Sequence, residues 1–311
     1  YDFINFNILI TTAIVGMEFI IGILGNGLIA LVNIIDWVKR SKISAVDQIL
    51  TALAISRIIH LSSRHLSKLF SMVCPGLLWA EQILKMIHII WMVTSHFSIW
   101  LATSLSIFYF LKIANFSNSI FHYLKWRVEK VISVTLLVSL VILFLNIAFL
   151  NTDTDVWVAG YKRNVTNSSS SKDSLNFSRH FLLHYMIFTI IPFTLSLTAF
   201  ILLIFSLWRH LRKKQLNATA PRDARTKAHL QGLQAVVAFL LLYTFFFLSL
   251  LIQVLISDLQ EKNVIISLCH VLAMAFPSGH SYILILRNKK LRQASLSMLW
   301  WLRCRFKDAE S

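Results

Sequence analysis

The stretch LAISRIIHLSSRHLSKL, Leu53 to Leu69, carries two arginines, two histidines and a lysine inside a chain that is 57% hydrophobic. Its reading decides how many times the chain crosses a membrane. Only 14% of the residues are charged, where a soluble domain has about 25%, and the mean hydropathy is positive. Apolar runs near or above the ~20 residues that span a ~30 Å hydrocarbon core recur along the chain. With the quoted stretch in the second, they number seven: Asn7 to Ile35, Asp47 to Ser71, Ala80 to Ile113, Val131 to Leu150, Phe181 to Trp208, His229 to Ile256 and Asn263 to Leu286. The second is the least apolar. Several exceed the core thickness, which implies tilt or protrusion, and the first is expected to act as the insertion signal. After the seventh, Leu291, Ala294, Met298, Leu299, Leu302 and Phe306 form an apolar stripe opposite Lys289, Arg292, Gln293 and Arg303. That pattern suits a helix lying on the inner leaflet. The expected fold class is all-α: a seven-transmembrane helix bundle, one domain over 1–311, with an amphipathic eighth helix and tail over 287–311.

Depth explains the central charge. At a helical rise of ~1.5 Å per residue, Arg57 lies roughly 15 Å along the second span, near the bilayer centre. A lipid-facing arginine there costs from about 3 to more than 10 kcal/mol, so Arg57 must face the bundle. The expected partner is Glu18 of the first span, about 16 Å from that span's outer end by the same rise, with Asn26 or Ser281 completing the hydrogen bonds. His60, Arg64 and Lys68 follow Arg57 at i+3, i+7 and i+11. They climb one helical face toward the outer mouth as a basic ladder.

Orientation follows from the remaining cations. The side of the membrane that includes residues 1–6 holds 7 Lys and Arg, and the other side 21. The positive-inside rule places the N-terminus outside and the C-terminus in the cytoplasm, as expected for a multi-pass plasma-membrane protein. The net charge of +16 then reads as topology and attraction to anionic lipid, not as nucleic-acid binding. The polar segment 151–180 is expected to be an extracellular loop, and its sequons at Asn164, Asn167 and Asn176 are candidate glycosylation sites. Of three cysteines, Cys74, Cys269 and Cys304, none falls in that loop, so no disulfide can pin it to the third span. Cys304, among basic residues of the inner tail, is a candidate for palmitoylation.

Topology alone leaves a channel, a transporter or an intramembrane enzyme open beside a receptor. The motifs are more specific. WLATSLSIFYFLKIANFSN (Trp100 to Asn118) and FHYLKWR (Phe121 to Arg127) close the third span, EFIIGILGNGLIALVN (Glu18 to Asn33) lies in the first, and ILTALAISR (Ile49 to Arg57) in the second. IPFTLSLTAFILLIFSLWRH (Ile191 to His210), DARTKAHLQGLQ (Asp223 to Gln234) and PSGHSYILILRNKKLRQA (Pro277 to Ala294) follow in order. In these blocks, over nearly its whole length, the chain resembles the bitter taste receptors, the type 2 taste receptor family, and most of all its broadly tuned subgroup. It departs from rhodopsin-like receptors: Phe108-Tyr109-Phe110 stands where an Asp-Arg-Tyr ending would be, and Pro277-Ser-Gly-His280-Ser281 replaces Asn-Pro-x-x-Tyr.

The resemblance implies that Arg57, His280 and Ser281 share the resting-state network. It also implies a binding cavity at Trp91, Ser95, His96, Tyr185, Phe188, Tyr243, Phe246, Leu250, Ile266 and His270. Residue types and spacing agree, since a small-molecule site needs aromatic walls with a few polar groups. Trp91 and Ser95 are four apart and share a face. The family commonly has a tryptophan where Ser62 stands and an asparagine where Ser95 stands. The basic ladder is a further departure, and Arg64 is expected to bias the outer wall toward neutral or anionic ligands. At the cytoplasmic end the receptor reading assigns Tyr109 and Lys112, His210 and Lys214 on one side of the loop 209–228, and Lys227 and His229 on the other, to the heterotrimeric G protein. The implied partners are small bitter agonists, a gustducin-like or inhibitory-class G protein and membrane lipid. The alternative is a seven-span transporter or channel for small organic solutes, but Pro192 and Pro277 are too few and too asymmetric for paired broken helices.

No cofactor is expected. His180 and His184 are spaced as a helical metal pair would be, yet no neighbouring carboxylate or cysteine completes a site. No phosphate loop, nucleophile elbow or carboxylate pair suggests catalysis.

Overall fold

The computed structural model describes residues 2–40, 43–73, 81–164, 170–215, 224–256 and 263–309. Among them the regular elements are all helices: α1 (Asp2–Arg40), α2 (Ala45–Val73), α3 (Glu81–Ile113), α4 (Ser119–Trp126), α5 (Val128–Asn164), α6 (Ser170–Gln215), α7 (Ala224–Leu255), α8 (Asn263–Arg287) and α9 (Lys289–Ala309). Seven of these, all but α4 and α9, are long and apolar enough to cross a membrane. The fold is a seven-transmembrane helix bundle. In a hydrocarbon core each backbone amide and carbonyl must be satisfied within its own segment, which is why the spanning parts are helical throughout.

The helices outrun their apolar runs. α5 continues to Asn164 and α6 begins at Ser170, so most of the segment expected as an outer loop is helical where it is described. Hydropathy marks where lipid ends; a helix stops only where its backbone hydrogen bonds do. With the end of the bundle that holds the α3–α4 turn and the start of α9 called inner, the short α4 follows α3 there and was not anticipated. Asn118 caps it by accepting from the Ile120 amide at 2.8 Å, and Phe121 is buried against Phe110 and Phe116, with ring centroids 5.6 and 5.1 Å away. Lys125 donates to the Ala114 carbonyl at 2.8 Å, tying α4 to the end of α3. Its partial burial and the charge of Lys112 lower its pKa.

α3 is the hub. Buried residues make up 67% of its membrane stretch, against 22% for α5, whose Leu137 and Phe144 point outward. α1 packs on α2 and α8 around Gly22. A Cβ there would meet Leu61 Cδ1 at 2.5 Å and Ser278 Oγ at 2.8 Å, so a larger residue would force one of these side chains to shift. At the inner end Asn288 caps α9 through the amides of Lys290 (3.0 Å) and Leu291 (3.3 Å). Of the stripe predicted on this helix, Leu291 is buried in the protein while Met298 and Leu299 are exposed, as are Trp300 and Trp301; the side chains of Leu302 and Phe306 lie outside the described set. A face so apolar and so uncovered suits contact with lipid.

Candidate ligand and switch site

The outer half of the bundle gathers side chains from four helices. Trp91 of α3 packs on Tyr185 of α6 at 4.5 Å between ring centroids, and Ser95, one turn below, hydrogen-bonds the Tyr185 hydroxyl. The Arg64 guanidinium lies 5.7 Å from the centre of the Trp91 ring, a cation held on the negative face of an indole. His60, one turn deeper on α2, pairs through Nδ1 with the Thr94 hydroxyl at 3.2 Å. On the far side Phe246 meets Tyr185 edge-on at 6.3 Å, and Tyr243 lies 6.1 Å from Phe246 while donating to the Thr189 carbonyl at 2.9 Å. Leu250 is buried one turn above Phe246, and Ile266 is half-buried on α8. His270 lies on α8, its side chain outside the described set, as is that of Lys68 on α2.

Two of the expected cavity residues point elsewhere. The His96 ring meets the Ser139 carbonyl of α5 at 2.9 Å, because consecutive helical side chains diverge by about 100° and Ser95 already faces Tyr185. Phe188 belongs to the seam of α5 and α6, against His184 at 4.7 Å and Phe149 at 6.3 Å. His184 itself bonds Asn146 at 2.6 Å, while the side chain of His180 lies outside the described set.

Arg57 is fully buried, as its depth required, but its expected ion pair with Glu18 does not exist. Arg57 Nε donates to Ser98 Oγ at 3.3 Å, Nη2 lies 2.7 Å from His280 Nδ1, and the guanidinium sits 5.4 Å from the Phe276 ring centre. The reason is helix register. Phe19 stacks on His65 at 4.3 Å, and Gly22 lies against Leu61. The two helices are antiparallel, so four residues on from Gly22 and four back from Leu61 bring Asn26, not Glu18, level with Arg57. Glu18 is two turns nearer the outer end, ~12 Å away along α1. Its own backbone carbonyl accepts from Ser278 Oγ at 3.0 Å, and its Oε2 is buried with no hydrogen-bond partner among the described residues. Asn26 and Ser281 do meet, at 2.8 Å, but they bond each other.

At the inner end Tyr109 is half-buried beside Phe108, and Lys112 is exposed with its ammonium 5.7 Å from the Phe108 ring. His210 and Lys214 end α6, and Lys227 and His229 begin α7; their side chains lie outside the described set. Lys290 carries no signal in the sequence; its ammonium contacts Asp36 at 2.8 Å, Asn33 at 3.1 Å and Asp47 at 3.5 Å, joining α9 to α1 and α2. All three partners lie far from Lys290 in sequence, and only the fold brings them together. Asn164 ends α5 and Asn176 lies in α6, again without described side chains, while Asn167 and Cys74 lie outside the described residues. Cys269 and Cys304 are free thiols.

The described helices form a seven-helix membrane bundle with an aromatic cluster toward one end and a buried arginine at mid-depth, an architecture in keeping with a seven-helix receptor. Residues 5–303 match the model of the family described as Taste receptor protein (TAS2R). The chain is 56% identical to taste receptor type 2 member 125 of Rattus norvegicus over 97% of each protein. It is 56% identical to taste receptor type 2 member 14 of Papio hamadryas and 55% identical to that of Homo sapiens, over 97% of this chain and 94% of each relative. The chain belongs to the type 2 taste receptor family, and with it to the G-protein-coupled receptors of bitter taste.

Proposed function

We propose that this receptor binds small bitter compounds in the outer half of its bundle, against Trp91, Ser95, Tyr185, Phe246 and Leu250, and that occupancy favours a conformation in which its inner end activates a gustducin-like, inhibitory-class G protein. The observation that carries the reading is the Arg64, Trp91, Tyr185 and Ser95 cluster, in which α2, α3 and α6 meet two turns above the Arg57 and His280 link between α2 and α8. A ligand seated there touches helices that the deeper contacts also join, and a ligand shifts an equilibrium only by its differential affinity for the two states. The excess of cations at the inner ends supports an extracellular N-terminus and a plasma-membrane receptor with its basic face toward the G protein. The same orientation would expose the sequons at Asn164, Asn167 and Asn176 to glycosylation.

The test is nucleotide exchange on a purified inhibitory-class G protein in membranes containing the receptor, across a panel of bitter compounds. Activation by at least one compound, reduced tenfold or more by Trp91→Ala with surface expression retained, is the expected result. Exchange indifferent to the whole panel would sink the reading. Activation that Trp91→Ala leaves unchanged would move the ligand elsewhere.

A further inference from the structure

The contacts of Lys290 tie three helices together at the inner end. Lys290 is the second residue of α9, and Asn288 alone separates that helix from α8. A lysine ammonium has three donors, and three acceptors from two other helices surround this one. They are Asp36 Oδ2 at 2.8 Å and Asn33 Oδ1 at 3.1 Å on α1, and Asp47 Oδ2 at 3.5 Å on α2. The acceptors are themselves held. Asp36 also pairs with Arg40 at 2.7 Å, Ser44 donates to the same Asp47 oxygen at 2.8 Å, and Asn33 donates to the Asp47 backbone carbonyl at 3.4 Å. One cation thus brings carboxylates of two helices onto a single point, and without it they would repel each other.

Two features give this clasp a direction. Leu111 of α3, Leu203 of α6, Val236 and Leu240 of α7 and Ile285 of α8 are buried in one continuous core, so the inner half of the bundle is closed where it is described. A G protein that reaches between the helices needs them to part, and contacts made in the closed arrangement favour it. Lys290 also travels with the inner end of α8, because the Asn288 side chain accepts from its amide and Leu291 beside it is fully buried. α8 is the helix that Arg57 grips deeper in the bundle through His280. The side chains of Lys290, Asp36 and Asp47 keep 31%, 23% and 18% of their surface exposed. A partly solvated ion pair of this kind is strong enough to bias an equilibrium and weak enough to open. Taking the receptor function as proposed above, we propose that Lys290 is a positioning residue for signalling: its clasp holds the inner ends of α1, α2 and α8 in the closed arrangement and opens on activation. A contact that only stabilised the fold would lose signal when removed. A lock gains it.

The experiment compares the full-length receptor in nanodiscs with Lys290→Met, which keeps an unbranched apolar stem and removes the charge. Two quantities are read without agonist: nucleotide exchange on a purified inhibitory-class G protein, and deuterium uptake by the inner turns of α1, α2 and α8 with no G protein present. Lys290→Met should raise basal exchange about fivefold and raise uptake at those turns, leaving the turns around Trp91 unchanged. Adding Asp47→Asn to Lys290→Met removes one of the two facing carboxylates and should bring both readouts part of the way back. Asp47→Asn alone should raise basal exchange less than Lys290→Met, since Asp36 and Asn33 still hold the ammonium; it carries the test if Lys290→Met does not fold. Basal exchange left unchanged or lowered, in a receptor that an agonist still drives, overturns the proposal and makes the clasp a staple of the fold. If no compound drives exchange in the parent, the proposed function fails and uptake decides alone. Unchanged uptake at the inner turns then overturns the lock, and a rise confined to them upholds it.

Discussion

Arg57 and Arg64 stand seven residues apart on one face of α2, yet the bundle treats them differently. Arg57 is wholly enclosed, gripped by Ser98 and His280 over Phe276. Arg64 lies on the Trp91 indole beside the Tyr185 and Ser95 contact, close to the outer end. The same side chain in the same register thus serves two ends, because depth changes what surrounds it: deep in the bundle a cation must be locked by every neighbour, and near the mouth it can lie on an aromatic face with its charge still felt outside. On the proposed function the first arginine belongs to the architecture and the second bears on specificity.

Replacing Arg57 should therefore do the most damage. Arg57→Ala removes a fully buried side chain and strands His280 Nδ1 and the Ser98 hydroxyl, for a loss on the order of 3 kcal/mol. The expected outcome is poor surface expression and an agonist response more than a hundredfold weaker, measured with thermal unfolding of whatever receptor can be purified. Gly22→Ala comes next. It attacks the register that sets what Arg57 faces, since the added methyl would push against Ser278 and against Leu61, which is fully buried. A destabilisation of about 1–3 kcal/mol is expected from such overpacking, read as a lowered unfolding midpoint with ligand selectivity unchanged. If Gly22→Ala were neutral, the close approach of α1 to α2 and α8 would not be a constraint.

Arg64→Ala should separate the two arginines by ligand charge. Folding should survive. Potency of an acidic agonist should fall about tenfold, equivalent to ~1.4 kcal/mol, while a matched amine of the same shape keeps or improves its potency. Equal losses for both would make Arg64 a packing residue like Arg57 and erase the distinction. A control at His96 sharpens this: because its ring is committed to Ser139 on α5, its substitution should act on stability without discriminating acid from amine.

What the sequence made legible follows the same division. Seven crossings can be read because apolar runs of bilayer length are long-range averages, insensitive to any one residue. The inward turn of Arg57 is legible because the alternative is so costly, and Trp91 with Ser95 because spacing of four is a property of one helix. What could not be read is how one helix slides and rotates against another. A slip of about two turns, ~11 Å, would exchange Asn26 for Glu18 as the residue level with Arg57, and a rotation of one residue turns His96 from Tyr185 to Ser139. The helix α4 was hidden for a different reason: its only local signals are Asn118 as a cap and Phe121 as an anchor, and both acquire meaning only against the inner ends of α3 and α6. Lys290 illustrates the extreme, a tertiary clasp with no local signature at all.

The smallest expected effect is the most informative about that register. A buried Glu18 to Arg57 ion pair requires Glu18→Gln to be nearly as harmful as losing Arg57, because breaking such a pair strands a charge. In the observed register Glu18 sits two turns above Arg57, its backbone carbonyl bonded to Ser278 and its Oε2 without a described partner. An amide of the same size gives up no ion pair there and carries no charge to desolvate. Glu18→Gln should therefore change stability by no more than ~0.5 kcal/mol, the range of substitutions that remove no specific interaction, and should express and signal like the parent. A second consequence follows from the absence of a carboxylate partner: the double variant Glu18→Gln with Arg57→Ala should lose only what Arg57→Ala loses, because sites farther apart than about 7–10 Å with no shared partner add independently. A coupling of 1 kcal/mol or more in that cycle would mean that the two charges meet in some populated state. It would also supply Arg57 with a counter-charge from its own chain.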